Sequence, residues 1–232
     1  VDEGTVSFEG ERVLDREVAV KERLGVVFEG STFPEELKVP EIEKLMKQAY
    51  RNWDREQFDH YVGQFGLPED KRVKEFSKGM RMKLSIAVAL SHHAEFLMLD
   101  EATSGLDPVM RDELLDILLE FMQDENHSIL ISSHITGDLE KIADYIAFLR
   151  QGELVFYENK DELIYHHGIL KISKKDLGQI DKADIVSVRE NAYECECLIR
   201  NVGQFSRKYP QMTVDRASVE DIVLFYVRGE HR

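Results

Sequence analysis

Strand and helix patterns alternate through the middle of this 232-residue chain, which predicts an α/β fold on a parallel sheet followed by a small α+β unit. Two further observations agree. The run Phe96-Leu-Met-Leu-Asp100-Glu101 is continuously apolar up to a carboxylate pair, as in a strand buried on both faces. Beyond Gly152 the segments shorten and the alternation stops.

Taken in order, Thr5-Val-Ser-Phe8 and Leu24-Gly-Val-Val-Phe28 read as short strands. From Val39 to Gly66 the period becomes helical: Ile42, Leu45, Met46 and Ala49 recur at threes and fours, and so do Phe58, Tyr61, Val62 and Phe65. Pro40 suits an early helical position, and Gly66-Leu67-Pro68 breaks the run. Then come a helix from Ser77, with Leu84, Ala87, Val88 and Ser91 on one side, a strand from Phe96 and a helix from Pro108. Asp107-Pro108 is an N-cap followed by proline at the first helical position. A strand from Ser128 to Ser132, a helix near Asp138 and a strand from Tyr145 complete the alternation. The tail predicts strands at Leu170–Ile172 and Tyr193–Ile199 and a last helix introduced by Ser218.

With 43% apolar and 32% charged residues, the chain can bury a full core. Its longest apolar runs, Phe96–Leu99 and Tyr145–Leu149, fall far short of the roughly 20 residues that cross a bilayer. Any membrane role is therefore expected to be by association. The acidic first residues lack the basic and apolar regions of a secretory signal, so the expected compartment is the cytosol. A net charge of −15 argues against a broad nucleic-acid-binding face. The most basic stretch, Lys71-Arg72-Val73-Lys74 with Lys78, Arg81 and Lys83, reads equally as a solvated flank or as a phosphate-steering patch. Cys195 and Cys197 lie two apart in a predicted strand and read as ordinary strand residues.

Chemistry gathers between Glu75 and His134. Open α/β sheets bind ligands at the carboxyl ends of their strands, where Asp100 and Glu101 stand. There one carboxylate can hold Mg²⁺ through water and the next can orient or deprotonate an attacking water. Ser77-Lys78-Gly79 opens a helix whose free N–H groups suit an anion, about twenty residues before the acidic pair. His134 ends the apolar strand Ser128-Ile-Leu-Ile-Ser-Ser133. The pairs His92-His93 and His166-His167 have no such setting and are expected at the surface.

The order and spacing of these motifs resemble the ATP-binding subunits of ABC transporters over about residues 1–155, most nearly bacterial exporter ATPases with a C-terminal extension. The resemblance implies a P-loop NTPase-like core (1–155) with a helical subdomain at about 38–92, and a small α+β extension (156–232). It also implies ATP and Mg²⁺ as ligands, a second ATPase subunit and integral membrane subunits as partners, no nucleic acid, and a place on the inner face of the cell membrane. By the same resemblance Asp100 binds Mg²⁺, Glu101 is the general base and His134 senses the γ-phosphate. Ser77, Lys78 and Gly79 meet the nucleotide held by the partner subunit, and Asp107 ties the two subunits together.

Departures are plain. Glu29 stands where the family has glutamine, either as a Mg²⁺ or water contact or as a plain acidic loop residue. The signature reads Phe76-Ser77-Lys78-Gly79-Met80 instead of Leu-Ser-Gly-Gly-Gln, and Lys78 either adds a charge to the phosphate or holds the loop differently. Ala102 replaces the usual proline. No G-x-x-x-x-G-K-[ST] phosphate loop occurs in the 232 residues. Val1-Asp-Glu-Gly-Thr-Val-Ser-Phe8 resembles the strand that follows that loop's helix, so the expectation is a chain beginning downstream of the main ATP site, inactive alone. Loss of that strand and helix is expected to leave apolar flanks of the Leu24 and Phe96 strands uncovered. The rival readings are a catalytically silent regulatory module with the same fold and a soluble ABC ATPase outside transport.

Overall fold

In the computed structural model, which describes residues 3–13, 17–30, 33–191 and 193–231, the apolar runs become strands. Val1 and Asp2, at the start of the segment matched to the family's post-loop strand, lie outside the described residues, as do Ser31 and Thr32 after Glu29. The chain divides into Val1–His134 and Ile135–Arg232, whereas the resemblance put the boundary at about residue 155.

The first unit begins with a small antiparallel hairpin, β1 (Ser7–Phe8) and β2 (Glu11–Arg12), turned at Gly10, whose φ of +81° suits glycine. A short helix that the sequence pattern did not show, α1 (Glu17–Arg23), leads into β3 (Leu24–Val27). The helical stretch becomes α2 (Val39–Ala49), with Pro40 in its first turn, and α3 (Arg55–Gln64), capped by Asp54. Then follow α4 (Lys78–Leu90), β4 (Phe96–Asp100), α5 (Pro108–Phe121) and β5 (Ser128–Ser132).

Strands β3, β4 and β5 form one parallel sheet in that order, with Val27 beside Leu99 and Asp100 beside Ser132. One face buries Val27, Leu97 and Leu99. Helix α4 lies close against it: a Cβ on Gly25 would fall 2.5 Å from Leu97 Cδ2 and 3.0 Å from the Ala89 carbonyl oxygen. Because α4 also packs on α3, its burial exceeds the single stripe expected and takes in Ser85, Ile86, Ala89 and Leu90. The opposite face carries Val26, Met98 and Leu130 in register, and these are 40%, 38% and 56% exposed. Parallel strands are usually covered on both faces. The flanks expected to stand uncovered are uncovered here.

The second unit opens with α6 (Thr136–Ile142), β6 (Tyr145–Arg150) and β7 (Glu153–Asn159). Alternation suggested another parallel strand at Tyr145; β6 instead pairs antiparallel with β7. Gln151 and Gly152 both have positive φ, 52° and 83°, so the pair read as a boundary is a two-residue hairpin turn matching strand twist. After α7 (Lys160–His166) come β8 (His167–Ser173), β9 (Ile185–Glu190) and β10 (Glu194–Arg200). Helix α8 (Val202–Lys208), β11 (Val214–Arg216), α9 (Val219–Arg228) and β12 (Glu230–His231) finish the chain. The order β11-β8-β10-β9-β12 makes one antiparallel sheet. Cys195, Cys197 and Ile199 of β10 point into a cluster with Phe205 of α8, while Leu198 points into another with Ile222 and Phe225 of α9. Alternate residues of one strand thus fill both sides.

Two histidine expectations are corrected. His92 and His167 are 1% and 5% exposed, unlike their neighbours His93 and His166. Each follows a helix and turns its Nδ1 to that helix's carbonyls, Val88 at 3.1 Å and Leu163 at 2.8 Å. A polar ring can be buried when backbone acceptors meet it. Burial pushes both imidazoles below their ordinary pKa.

Candidate functional site

The carboxyl ends of β4 and β5 bring together Asp100, Glu101, Ser132 and His134. Parallel register sets Asp100 beside Ser132, and the Ser132 hydroxyl donates to Asp100 Oδ1 at 2.7 Å. The Glu101 N–H is shared between the Ser132 carbonyl oxygen and hydroxyl, each 3.1 Å away. Glu101 sits at φ +50°, a left-handed conformation uncommon for a residue with a side chain. From there its Oε2 accepts a hydrogen bond from His134 Nδ1 at 2.5 Å. Glu101 is the more sheltered of the pair, its side chain 26% exposed against 65% for His134. The sequence pointed to the carboxylates and the histidine. The bonds of Ser132 went unread, because two bonds to a neighbouring strand leave no trace in a linear motif.

A second group forms at the α4 N-terminus. Ser77 caps the helix, its hydroxyl accepting the Met80 N–H at 3.2 Å. Gly79 presses on the start of α5, where an added Cβ would lie 2.5 Å from Met110 Cε. Lys78 lies over Gly105, whose φ is +71°, and its ammonium pairs with Glu29 at 3.1 Å. Two departures from the family pattern therefore meet each other. Asp107 caps α5 by accepting the N–H groups of Val109 and Met110, at 3.0 and 3.1 Å. The turn Ser104–Asp107 joins this group to the first, since Ser104 N–H donates to the Glu101 carbonyl at 3.0 Å.

Among the described residues no cluster of three or more His, Cys, Asp or Glu side chains could hold a metal by itself. Asp100 still fits Mg²⁺ in the manner usual at phosphates: exposed at a strand end, it offers one carboxylate to an ion that keeps several waters and takes its other oxygens from the phosphates. No helix among the described residues is long and apolar enough to span a membrane.

Comparison with known proteins bears on this arrangement. The family model described as "ABC transporter" matches residues 1–104, which contain both carboxylates and the α4 N-terminus. Over those residues the chain is similar to ABC transporter ATP-binding domains. Among curated relatives, the ABC transporter ATP-binding protein YtrB of Bacillus subtilis is 26% identical over 70% of this chain and 55% of its own length. The bacitracin transport ATP-binding protein BcrA of Bacillus licheniformis is 30% identical over 66% of this chain and 50% of its own. The lantibiotic transport ATP-binding protein SrtF of Streptococcus pyogenes is 43% identical over 40% of each. The chain thus spans about half the length of the curated relatives it matches. In fold, the chain is similar to a solved ATP-binding subunit of an ABC transporter, with TM-score 0.62 and 25% identity over 69% of each chain. A dimeric ATP-binding cassette in a post-hydrolysis state with ADP and phosphate gives TM-score 0.59 and 19% identity over 68% of this chain and 73% of its own.

Proposed function

We propose that this chain is part of an ATP-hydrolysing subunit of an ABC transporter, coupling hydrolysis at a subunit interface to movement of membrane subunits. The observation that carries the reading is the bonded set Asp100–Ser132–Glu101–His134 at adjacent strand ends. Bound Mg²⁺ would supply charge neutralisation at the phosphates. Asp100 would hold its hydration shell. Glu101 would take a proton from the attacking water at Oε1, because Oε2 is bound to His134. His134 spends its Nδ1 proton on that carboxylate, so donating to a phosphate from Nε2 requires the doubly protonated ring.

Ser77, Gly79 and Lys78 would face the nucleotide of a second ATPase subunit, with Asp107 at the same interface, and Lys78 would reach it only after parting from Glu29. Glu29 would otherwise be a further contact to Mg²⁺ or water. For the membrane subunits we assign the groove of about 240 Å³ bordered by Val26, Phe33, Leu45, Met46, Tyr50 and His92. With that assignment the protein would work at the inner face of the membrane.

In the protein completed with a phosphate-binding loop, Glu101→Gln is expected to lower ATP turnover by about 10²-fold or more while ATP still binds. Turnover near the wild-type rate removes Glu101 from the base role. Residues 1–232 alone are expected to bind ATP-Mg weakly in isothermal titration and to turn it over negligibly, because backbone N–H groups and a lysine of that loop supply most phosphate affinity.

A further inference from the structure

We propose that Ser132 is a positioning residue whose hydroxyl holds Glu101 in the conformation from which it acts. This rests on the reading of Glu101 as general base. β5 ends at Ser132 directly beside Asp100, which brings the Ser132 side chain to the base of the carboxylate pair. Its hydroxyl has one proton and two lone pairs. The proton goes to Asp100 Oδ1 at 2.7 Å, and a lone pair receives the Glu101 N–H at 3.1 Å. One atom therefore ties the Asp100 carboxylate to the Glu101 peptide.

The backbone explains why such a tie is needed. Glu101 has a φ of +50°, and a glutamate left to itself favours negative φ. Conformations of that kind persist only where the surroundings over-determine them. Here the Glu101 N–H is gripped by both the hydroxyl and the carbonyl of Ser132, and the Glu101 carbonyl accepts Ser104 N–H at 3.0 Å. Removing the hydroxyl halves the grip on the N–H and frees one Asp100 oxygen. Glu101 can then relax toward negative φ, which turns Oε2 away from His134 Nδ1 and misplaces Oε1.

Three variants test this: Ser132→Ala removes the hydroxyl, Ser132→Thr restores it, and Ser132→Cys keeps the shape with a weak donor. In the 232-residue chain, hydrogen exchange of the Glu101 amide should quicken about tenfold in Ser132→Ala and Ser132→Cys and return in Ser132→Thr. The thermal midpoint of the unit should stay in place. In the ATP-hydrolysing protein, kcat should fall about tenfold in the first two variants with KM within about twofold, and Ser132→Thr should recover it. An unchanged kcat in both Ser132→Ala and Ser132→Cys, or exchange at Glu101 indifferent to all three substitutions, overturns the proposal. If the protein with a phosphate-binding loop hydrolyses nothing even as wild type, the base reading is refuted instead, and the exchange measurement still decides whether Ser132 holds the Glu101 peptide.

Discussion

The two main sheets of this chain cover themselves to different degrees. The five-stranded antiparallel sheet of the second unit fills both faces, with Cys195, Cys197 and Phe205 on one side and Leu198, Ile222 and Phe225 on the other. The three-stranded parallel sheet of the first unit is packed by α4 on one face and shows Val26, Met98 and Leu130 on the other. The candidate chemistry sits at the end of the half-covered sheet. A sheet that completes its own core needs no partner to fold, whereas one with an open apolar face is built to be finished by something else. The second unit is therefore expected to behave as a self-contained module, and the first as a component.

The largest effect that could break this contrast is at Phe205, which is 1% exposed and central to its cluster. Phe205→Ala should cost about 3–5 kcal/mol through lost transfer energy and a cavity. Only the second unit should feel it. The single tryptophan, Trp53, lies in the first unit against Phe58, so its fluorescence follows that unit alone. Circular dichroism should show an early transition while the Trp53 midpoint stays; a Trp53 shift of equal size would mean that the units fold as one.

Asp107→Ala acts on the other side of the comparison. It removes acceptors for the Val109 and Met110 N–H groups at the start of α5 and should cost about 1 kcal/mol. The Trp53 midpoint should fall by a few degrees with no early transition from the second unit. An unchanged midpoint would show that this cap contributes nothing to the first unit.

How much of this was legible in the sequence follows the same divide. In the first unit the signals were long or chemically sharp: a four-residue apolar run before Asp100, a proline after Asp107, a serine before Lys78, and β5 with both ends as read. In the second, α8 has seven residues and begins from Asn201 in a left-handed conformation, too short a window for a period to emerge. Strand β9, Ile-Val-Ser-Val-Arg-Glu, is half polar and offers no continuous apolar run, and the antiparallel partner of β6 was missed because Gly152 looked like an ending. At the site, residue types were visible and bonds were not. Nothing in the order of letters says that Lys78 reaches Glu29 or that Ser132 ties Asp100 to Glu101.

Acidification sharpens the contrast in a smaller way, because among the described residues each unit holds one buried histidine. His92 meets carbonyl oxygens at both ring nitrogens, Val88 and Leu24 at 3.1 and 3.0 Å, and stacks on Tyr50. In His167 the second nitrogen, Nε2, is buried without a hydrogen-bond partner. Burial lowers the folded-state pKa of both below the ordinary value of about 6.5. The unfolded chain then binds the proton more readily, so the stability is fully present above pH about 6.5 and is lost as pH falls toward the lowered folded value. His167→Asn should flatten this dependence for the second unit by circular dichroism and leave the Trp53 transition untouched, with His92→Asn doing the reverse. Equal slopes in wild type and both variants would place the acid sensitivity elsewhere.

The smallest stability effect belongs to the open face itself. Met98 and Leu130 are already exposed, so replacing both with serine removes little buried area, and surface changes of this kind usually stay within about 0.5 kcal/mol. Their effect on association should be larger than on folding. Val26, Met98 and Leu130 lie side by side across three strands, a contiguous apolar row of the kind that binds hydrophobic dyes and other chains. The Met98→Ser, Leu130→Ser double variant should therefore keep the Trp53 midpoint, bind less dye and scatter less light at high concentration. The matching change on the covered sheet, Leu198→Ser, should do the opposite, unfolding the second unit and raising dye binding, because Leu198 is fully buried. If the double variant loses stability like a core mutant, the face is covered in solution and the contrast between the two sheets fails; if dye binding persists at full strength with the fold intact, the sticky surface lies elsewhere and the first unit is more complete than its open strands suggest.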